Sequence, residues 1–155
     1  MVADAAGMIL AALALQLTPI AAERRWAAFE FDAHCEARVR AWRTREDPAE
    51  QPRLTFSFRE DGGIELHANL RRIGRDGSTA MLHIDGRPFA LSTVGRNAWS
   101  GGGEASMIAA LRVASRLNVV ATDRAGRRFV DYYPLDGIQT AIDAAAACAA
   151  KKAGN

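Results

Sequence analysis

The sequence is poor in the features that mark several protein classes. It has two cysteines, Cys35 and Cys148, too few for a cysteine-dense secreted scaffold, and no run of about 20 apolar residues, which a transmembrane helix requires. The sequence also lacks a large excess of charge of one sign, with 20 Lys and Arg against 18 Asp and Glu. Because acidic residues are scattered among the arginines, we expect no nucleic-acid partner. We also expect no stable membrane span once a leader is removed.

Motifs that carry common catalytic chemistry are absent as well. The glycines at 101–103 precede a helical pattern but lack the lysine and the spacing of a phosphate-binding loop. No serine lies in a GxSxG context, and no close His or Cys pair provides zinc-ligand spacing. The sequence therefore predicts no cofactor and no catalytic residue.

The amino-terminal segment predicts a secretory leader over residues 1–22. An apolar run from Met8 to Leu17 is followed by Thr18-Pro19 and then by small residues before a charged start at Glu23. This pattern predicts a periplasmic or secreted protein whose single β-rich domain covers residues 23–155. Because no Lys or Arg precedes the apolar run, a core helix of a cytosolic protein is the alternative.

Alternation of polar and apolar residues predicts an antiparallel sheet. Residues 53–59 and 64–71 alternate without a fault, and Asp61-Gly62-Gly63 between them suits a hairpin turn. Asp76-Gly77 and Asp85-Gly86 predict further turns. The apolar residues of the first hairpin share one predicted buried face: Leu54, Phe56, Phe58, Ile64, Leu66 and Leu70.

Two segments have helical periodicity. A mid-chain helix is predicted from Glu104, with apolar residues at Met107, Ile108, Leu111, Ala114 and Leu117. A C-terminal alanine-rich helix is predicted after Asp136, which precedes Gln139 as in a capping box. Its inward face contains Ile138, Ala141, Ile142, Ala145, Cys148 and Ala149. The fold class is therefore α+β, an antiparallel sheet or small β-sandwich on which the C-terminal helix packs.

The two cysteines predict a disulfide. In an oxidising compartment, the two cysteines of a single domain usually pair, and Cys35–Cys148 would fix the last helix to an early strand. The functional alternative makes Cys35 a nucleophile. His34 is poorly placed to be its base, because adjacent strand residues point to opposite faces.

Six side chains are candidates for contacts with a ligand. Trp99 lies beside the glycines at 101–103, where it is either an aromatic side chain exposed on a loop or a lid over the core. Arg127-Arg128 and Tyr132-Tyr133 place cations and aromatic rings on adjoining strand positions, and the candidates among them are Arg127, Arg128 and Tyr132. His67 and His83 lie on strands predicted to be neighbours and form a weak alternative metal site with nearby carboxylates. Asp131 is interpreted as a structural, salt-bridged carboxylate.

Two segments resemble a known family. The first contains Trp26 and Cys35-Glu36, and the second runs from Tyr133-Pro134-Leu135-Asp136-Gly137 through Ala141-Ile142 to Cys148. Together they resemble the invasion-associated locus B family of bacterial periplasmic proteins. The second is also similar to the tail of type VI secretion accessory proteins. The resemblance implies an envelope location and a β-sandwich-like domain with the helix packed against it, and it brings no catalytic residues.

Three functions follow as hypotheses. The first is a non-catalytic exported envelope protein that binds a small ligand or an envelope protein. The second is a periplasmic hydrolase that uses His67, His83 and nearby carboxylates. The third is a cytosolic binding domain.

Overall fold

The alternating segments fold into strands of one antiparallel sheet. The structure, a computed structural model, describes residues 17–44 and 51–155, so the first sixteen residues of the predicted leader lie outside it. Within these ranges the chain forms ten strands and two helices. The strands are β1 (Ala21–Glu23), β2 (Trp26–Glu30), β3 (His34–Arg40), β4 (Arg53–Arg59), β5 (Ile64–Asn69), β6 (Thr79–Ile84), β7 (Arg87–Val94), β8 (Asn97–Ser100), β9 (Leu117–Thr122) and β10 (Arg128–Tyr132). The helices are α1 (Glu104–Leu111) and α2 (Ile138–Ala153), which confirms the predicted α+β fold.

The sheet curls so that its last strand meets segments from its first half. Its strand order is β1-β2-β3-β4-β5-β8-β7-β6-β9-β10. The Trp42 amide, just after β3, donates to the Tyr132 carbonyl at 2.8 Å. The Arg71 guanidinium, just after β5, donates to the Val130 carbonyl at 3.2 Å. These bonds cover part of the edge of β10 that has no neighbouring strand. Unpaired backbone N–H and C=O groups at such an edge can bind a strand of another chain.

The predicted core face of the first hairpin is confirmed. Phe56 pairs with Ala37 on one side and Leu66 on the other, and all three side chains are fully buried. Of the six predicted positions only Ile64, at the start of β5, is partly exposed. The period-two pattern therefore identified the interior correctly.

Helix α2 packs on strands β1 to β4 along the predicted face. Five of its six predicted inward residues are buried: Ile138, Ala141, Ile142, Ala145 and Ala149. The predicted capping box is wrong. Gly137 is the N-cap, with φ 88°, and no side chain caps the helix. The Gln139 side chain donates instead to the Arg112 carbonyl at 3.0 Å.

Helix α1 is shorter than the periodicity predicted. It ends at Leu111, and Leu117 begins β9. The carboxylate of Asp85 accepts hydrogen bonds from the amides of Ser115 (2.9 Å) and Arg116 (2.8 Å). This tertiary contact fixes the chain as a turn, so the apolar pattern continues into a strand.

The amino-terminal edge of the sheet includes residues of the predicted leader. Ala21 pairs with Ala28 and Ala22 with Ala27, and the Ile20 amide donates to the Ala28 carbonyl at 2.9 Å. Cleavage after Ala22 would therefore leave only Glu23 of β1. Within the described residues, no helix is both long and apolar enough to cross a membrane.

Candidate anion-binding cleft

The predicted disulfide is confirmed. Cys35 on β3 and Cys148 on α2 are bonded, with their Cα atoms 6.1 Å apart. Since Cys35 is oxidised and fully buried, the nucleophile alternative is wrong. His34 instead makes a 2.8 Å contact with the Glu36 carboxylate. The disulfide is a structural link that holds α2 against β3.

The two histidines of the alternative metal site do not come together. His67 lies on β5 and His83 on β6, and β8 and β7 separate these strands in the sheet. The expectation that the strands are neighbours is therefore wrong, since β8 inserts beside β5. Across the described part of the chain, no group of three or more His, Cys, Asp or Glu side chains is arranged to hold a metal ion.

The other predicted contact residues fall into two separate places. Trp99 is not on a loop but on β8, half-buried, with its ring stacked on His67 at 5.3 Å between centroids. Arg128 and Tyr132 are exposed on β10, which three strands separate from β8 in the sheet order. Arg127 pairs with Asp123 at 3.3 Å in the turn before β10. The structure thus does not assemble these four residues into one site.

Asp131 has the structural role that we interpreted from the sequence. Its side chain is 1% exposed, and its carboxylate lies 3.1 Å from Nε of Arg71 and accepts the Arg71 amide at 3.2 Å. Burial raises the pKa of the neighbouring Tyr133 phenol well above 10.0, and the Asp131 charge adds to the shift. The ion pair between Asp131 and Arg71 connects the end of β10 to the segment after β5.

A different site is present at the β1–β4 end of the sheet. It is an open cleft of about 640 Å³, within the usual size range of small-molecule sites. Six arginines line it, and the described lining residues include no Asp or Glu: Arg24, Arg25, Arg38, Arg40, Arg43 and Arg53. We call it the arginine cleft.

Local structure explains why these arginines converge. Arg24 and Arg25 form the tight turn between β1 and β2, where Arg24 adopts a left-handed φ of 52°. Arg38 and Arg40 alternate with the buried Val39 and therefore lie on the outer face of β3. Arg53 opens β4 directly opposite Arg40 in the strand register.

An aromatic ring lies against one of these arginines, and a described carboxylate pairs with another. The guanidinium of Arg25 lies over the ring of Trp42, 4.5 Å from its centroid, and Trp42 is 45% exposed. Arg38 Nε donates to Glu36 at 2.5 Å, so its charge is compensated. Among the described residues, no carboxylate lies within ion-pair distance of Arg40 or Arg53.

This arrangement is suited to binding an anion. Arginine presents a planar fork of donors that matches carboxylate and phosphate oxygens. Sequence reasoning missed the site because it looked for arginines close together in sequence. The available signal was Arg38-Val39-Arg40, whose alternation predicts two cations on one strand face.

Comparison of the chain with family models, with curated proteins and with solved structures gave no match. The resemblance to the invasion-associated locus B family therefore stays a prediction.

Proposed function

We propose that the protein is an exported, non-catalytic binding module that holds an anionic ligand in the arginine cleft. The observation that carries the proposal is the direct pairing of Arg40 with Arg53, without a described carboxylate to compensate either charge. Like charges opposite each other on paired strands destabilise a sheet. A bound anion removes that penalty, because it lies between the two guanidinium groups.

The export part of the proposal rests on other features. A disulfide such as Cys35–Cys148 forms and persists in oxidising compartments. The leader-like pattern of residues 1–22 and the family resemblance favour the bacterial envelope as that compartment. An envelope protein that presents an anionic group is the alternative occupant to a small ligand.

Calorimetric titration of the intact protein with pyrophosphate tests the binding function. We expect saturable binding that weakens as salt is added, because exposed charges are screened. The double variant R40Q/R53Q should bind at least about tenfold more weakly, since each lost charge-assisted hydrogen bond is worth about 1.5–3 kcal/mol.

The matched control is R75Q/R124Q, which removes two exposed arginines outside the cleft. It should retain wild-type affinity. Equal losses in the two double variants would show nonspecific attraction by net charge. Absence of binding to pyrophosphate and to citrate would overturn the proposed function.

Export is tested by the intact mass of the protein expressed with its own amino terminus in a Gram-negative host. We expect a shortened chain in the periplasmic fraction whose thiols react only after reduction. An uncleaved chain in the cytosol with two reactive thiols would contradict export.

A further inference from the structure

The outer face of the sheet continues from the arginine cleft toward β8. Arg38 on β3 pairs with Thr55 on β4, Thr55 with His67 on β5, and His67 with Trp99 on β8. These side chains occupy one row across four strands. Strands in a sheet are about 4.8 Å apart, so the row extends about 14 Å from the cleft.

A second row runs beside the first. Arg53, which lies opposite Arg40, pairs on its other side with Asn69, and Asn69 pairs with Asn97. His67 joins the two rows through a 2.8 Å hydrogen bond between its Nε2 atom and the side-chain oxygen Oδ1 of Asn97. We call the four half-buried residues beyond β4 the polar platform: His67, Asn69, Asn97 and Trp99.

The platform differs from the cleft in charge. Its side chains are amides, an imidazole and an indole, and the exposed Glu65 lies on the same face of β5. The six arginines of the cleft lie at the other end, in the turn before β2, on β3, just after β3 and on β4. A ligand that spans both parts is therefore anionic at one end and uncharged but polar at the other.

This distribution does not suit a single-stranded nucleic acid. Such ligands carry a charge on every nucleotide and are bound by grooves that are cationic throughout, with aromatic side chains for successive bases. Amide and imidazole groups, by contrast, donate to and accept from hydroxyl groups.

We infer that the ligand is an anionic glycan. Its carboxylate or phosphate group occupies the arginine cleft, and its neutral sugar units lie over the polar platform. This inference rests on the proposed function. It adds the platform as a second part of the same site.

Titrations with three probes test the inference. The probes are glucuronate, the neutral trisaccharide xylotriose, and glucuronoxylotriose, in which the same trisaccharide carries one glucuronate. Wild-type protein should bind glucuronoxylotriose about tenfold more tightly than glucuronate. The variants W99A and N69A should reduce that advantage and leave pyrophosphate affinity unchanged. N69A is included in case W99A does not fold, because the N69A substitution removes no described side-chain hydrogen bond.

Y132A is the matched control for W99A, since Tyr132 is an aromatic residue outside the cleft and the platform. It should retain the affinity for glucuronoxylotriose. Equal affinities for glucuronate and glucuronoxylotriose would overturn the glycan inference while anion binding stands. Tighter binding of oligothymidylate than of any glycan probe would replace it with a nucleic-acid ligand. Failure of glucuronate and pyrophosphate alike would overturn the proposed function itself.

Discussion

Arg40 on β3 and Arg53 on β4 are directly opposed in an antiparallel ladder, on the outer face of the sheet. Nothing in the fold requires cations here, because both side chains are exposed and the core lies on the other face. A sheet that carries such a pair loses stability. Proteins retain residues of this kind at functional sites, where stability is exchanged for binding.

Replacing either arginine of this pair should therefore stabilise the free protein. We expect R53Q to raise the free energy of unfolding by about 0.2–1 kcal/mol, because it removes the repulsion from Arg40. Urea denaturation measures the change, and R75Q controls for the loss of one positive charge elsewhere. A loss of more than about 1 kcal/mol in R53Q would indicate that Arg53 has a structural role.

Opening the disulfide should destabilise the domain. Cys35 and Cys148 are separated by 113 positions, and closing so long a loop restricts the unfolded chain strongly. We expect C35A/C148A to lose about 2–5 kcal/mol of unfolding free energy relative to the oxidised protein. Urea denaturation with and without reductant gives the same comparison without a mutation. Coincident unfolding curves would show that α2 is held by its apolar face alone.

The start of α2 depends on a glycine for two reasons. Gly137 has a left-handed φ of 88°, and an added Cβ would overlap the Glu23 carbonyl of β1. Gly126 has a similar φ of 78° but open space around it. We expect G126A to cost about 1–2 kcal/mol and G137A to cost more, since β1 or α2 must also move. Thermal unfolding of the two variants measures the difference. Equal losses of stability would show that β1 moves away from the added Cβ without destabilising the protein.

Acid should weaken the fold through Asp123. The Arg127 amide donates to its carboxylate at 2.9 Å, and this bond, with the nearby Arg127 and Arg72 charges, lowers the pKa of Asp123 below 3.8. Because the folded-state pKa is the lower one, the stabilisation is complete above pH 3.8 and is lost as the pH falls through the folded-state value.

The variant D123N should therefore show a smaller fall in stability at acid pH than the wild type. The exposed Asp76 provides a control, since D76N removes one carboxylate from a turn without a described ion pair. Urea denaturation at a series of pH values makes the comparison. Identical acid dependence in the wild type and D123N would contradict the assigned role of Asp123.

The sequence was sufficient where local pattern decides structure. Alternation predicted the hairpin of β4 and β5, and the cysteine pair predicted the disulfide. The N-terminus of α2 was mispredicted because the contact of Gly137 with Glu23 is a tertiary one. The predicted end of α1 was wrong for the same reason, since the Asp85 carboxylate fixes the following turn by a tertiary contact.

Of the arginine cleft, the sequence indicates only that Arg38 and Arg40 share one face of a strand. Arg40 and Arg53 meet only through the register of β3 and β4. Trp42 reaches the cleft because its amide is bonded to Tyr132 in the last strand. Such long-range pairings depend on the whole topology, and the mixed charges along the chain concealed a cluster of one sign.

Urea denaturation with and without pyrophosphate tests the central claim, that the arginine cleft binds an anion at a cost in stability, most directly. Without pyrophosphate, R40Q/R53Q should be at least as stable as the wild type. With pyrophosphate at about 100 times its dissociation constant, the wild type should gain about 2.7 kcal/mol and the variant almost nothing. A variant that is less stable without pyrophosphate, together with a wild type that gains nothing from it, would contradict the account.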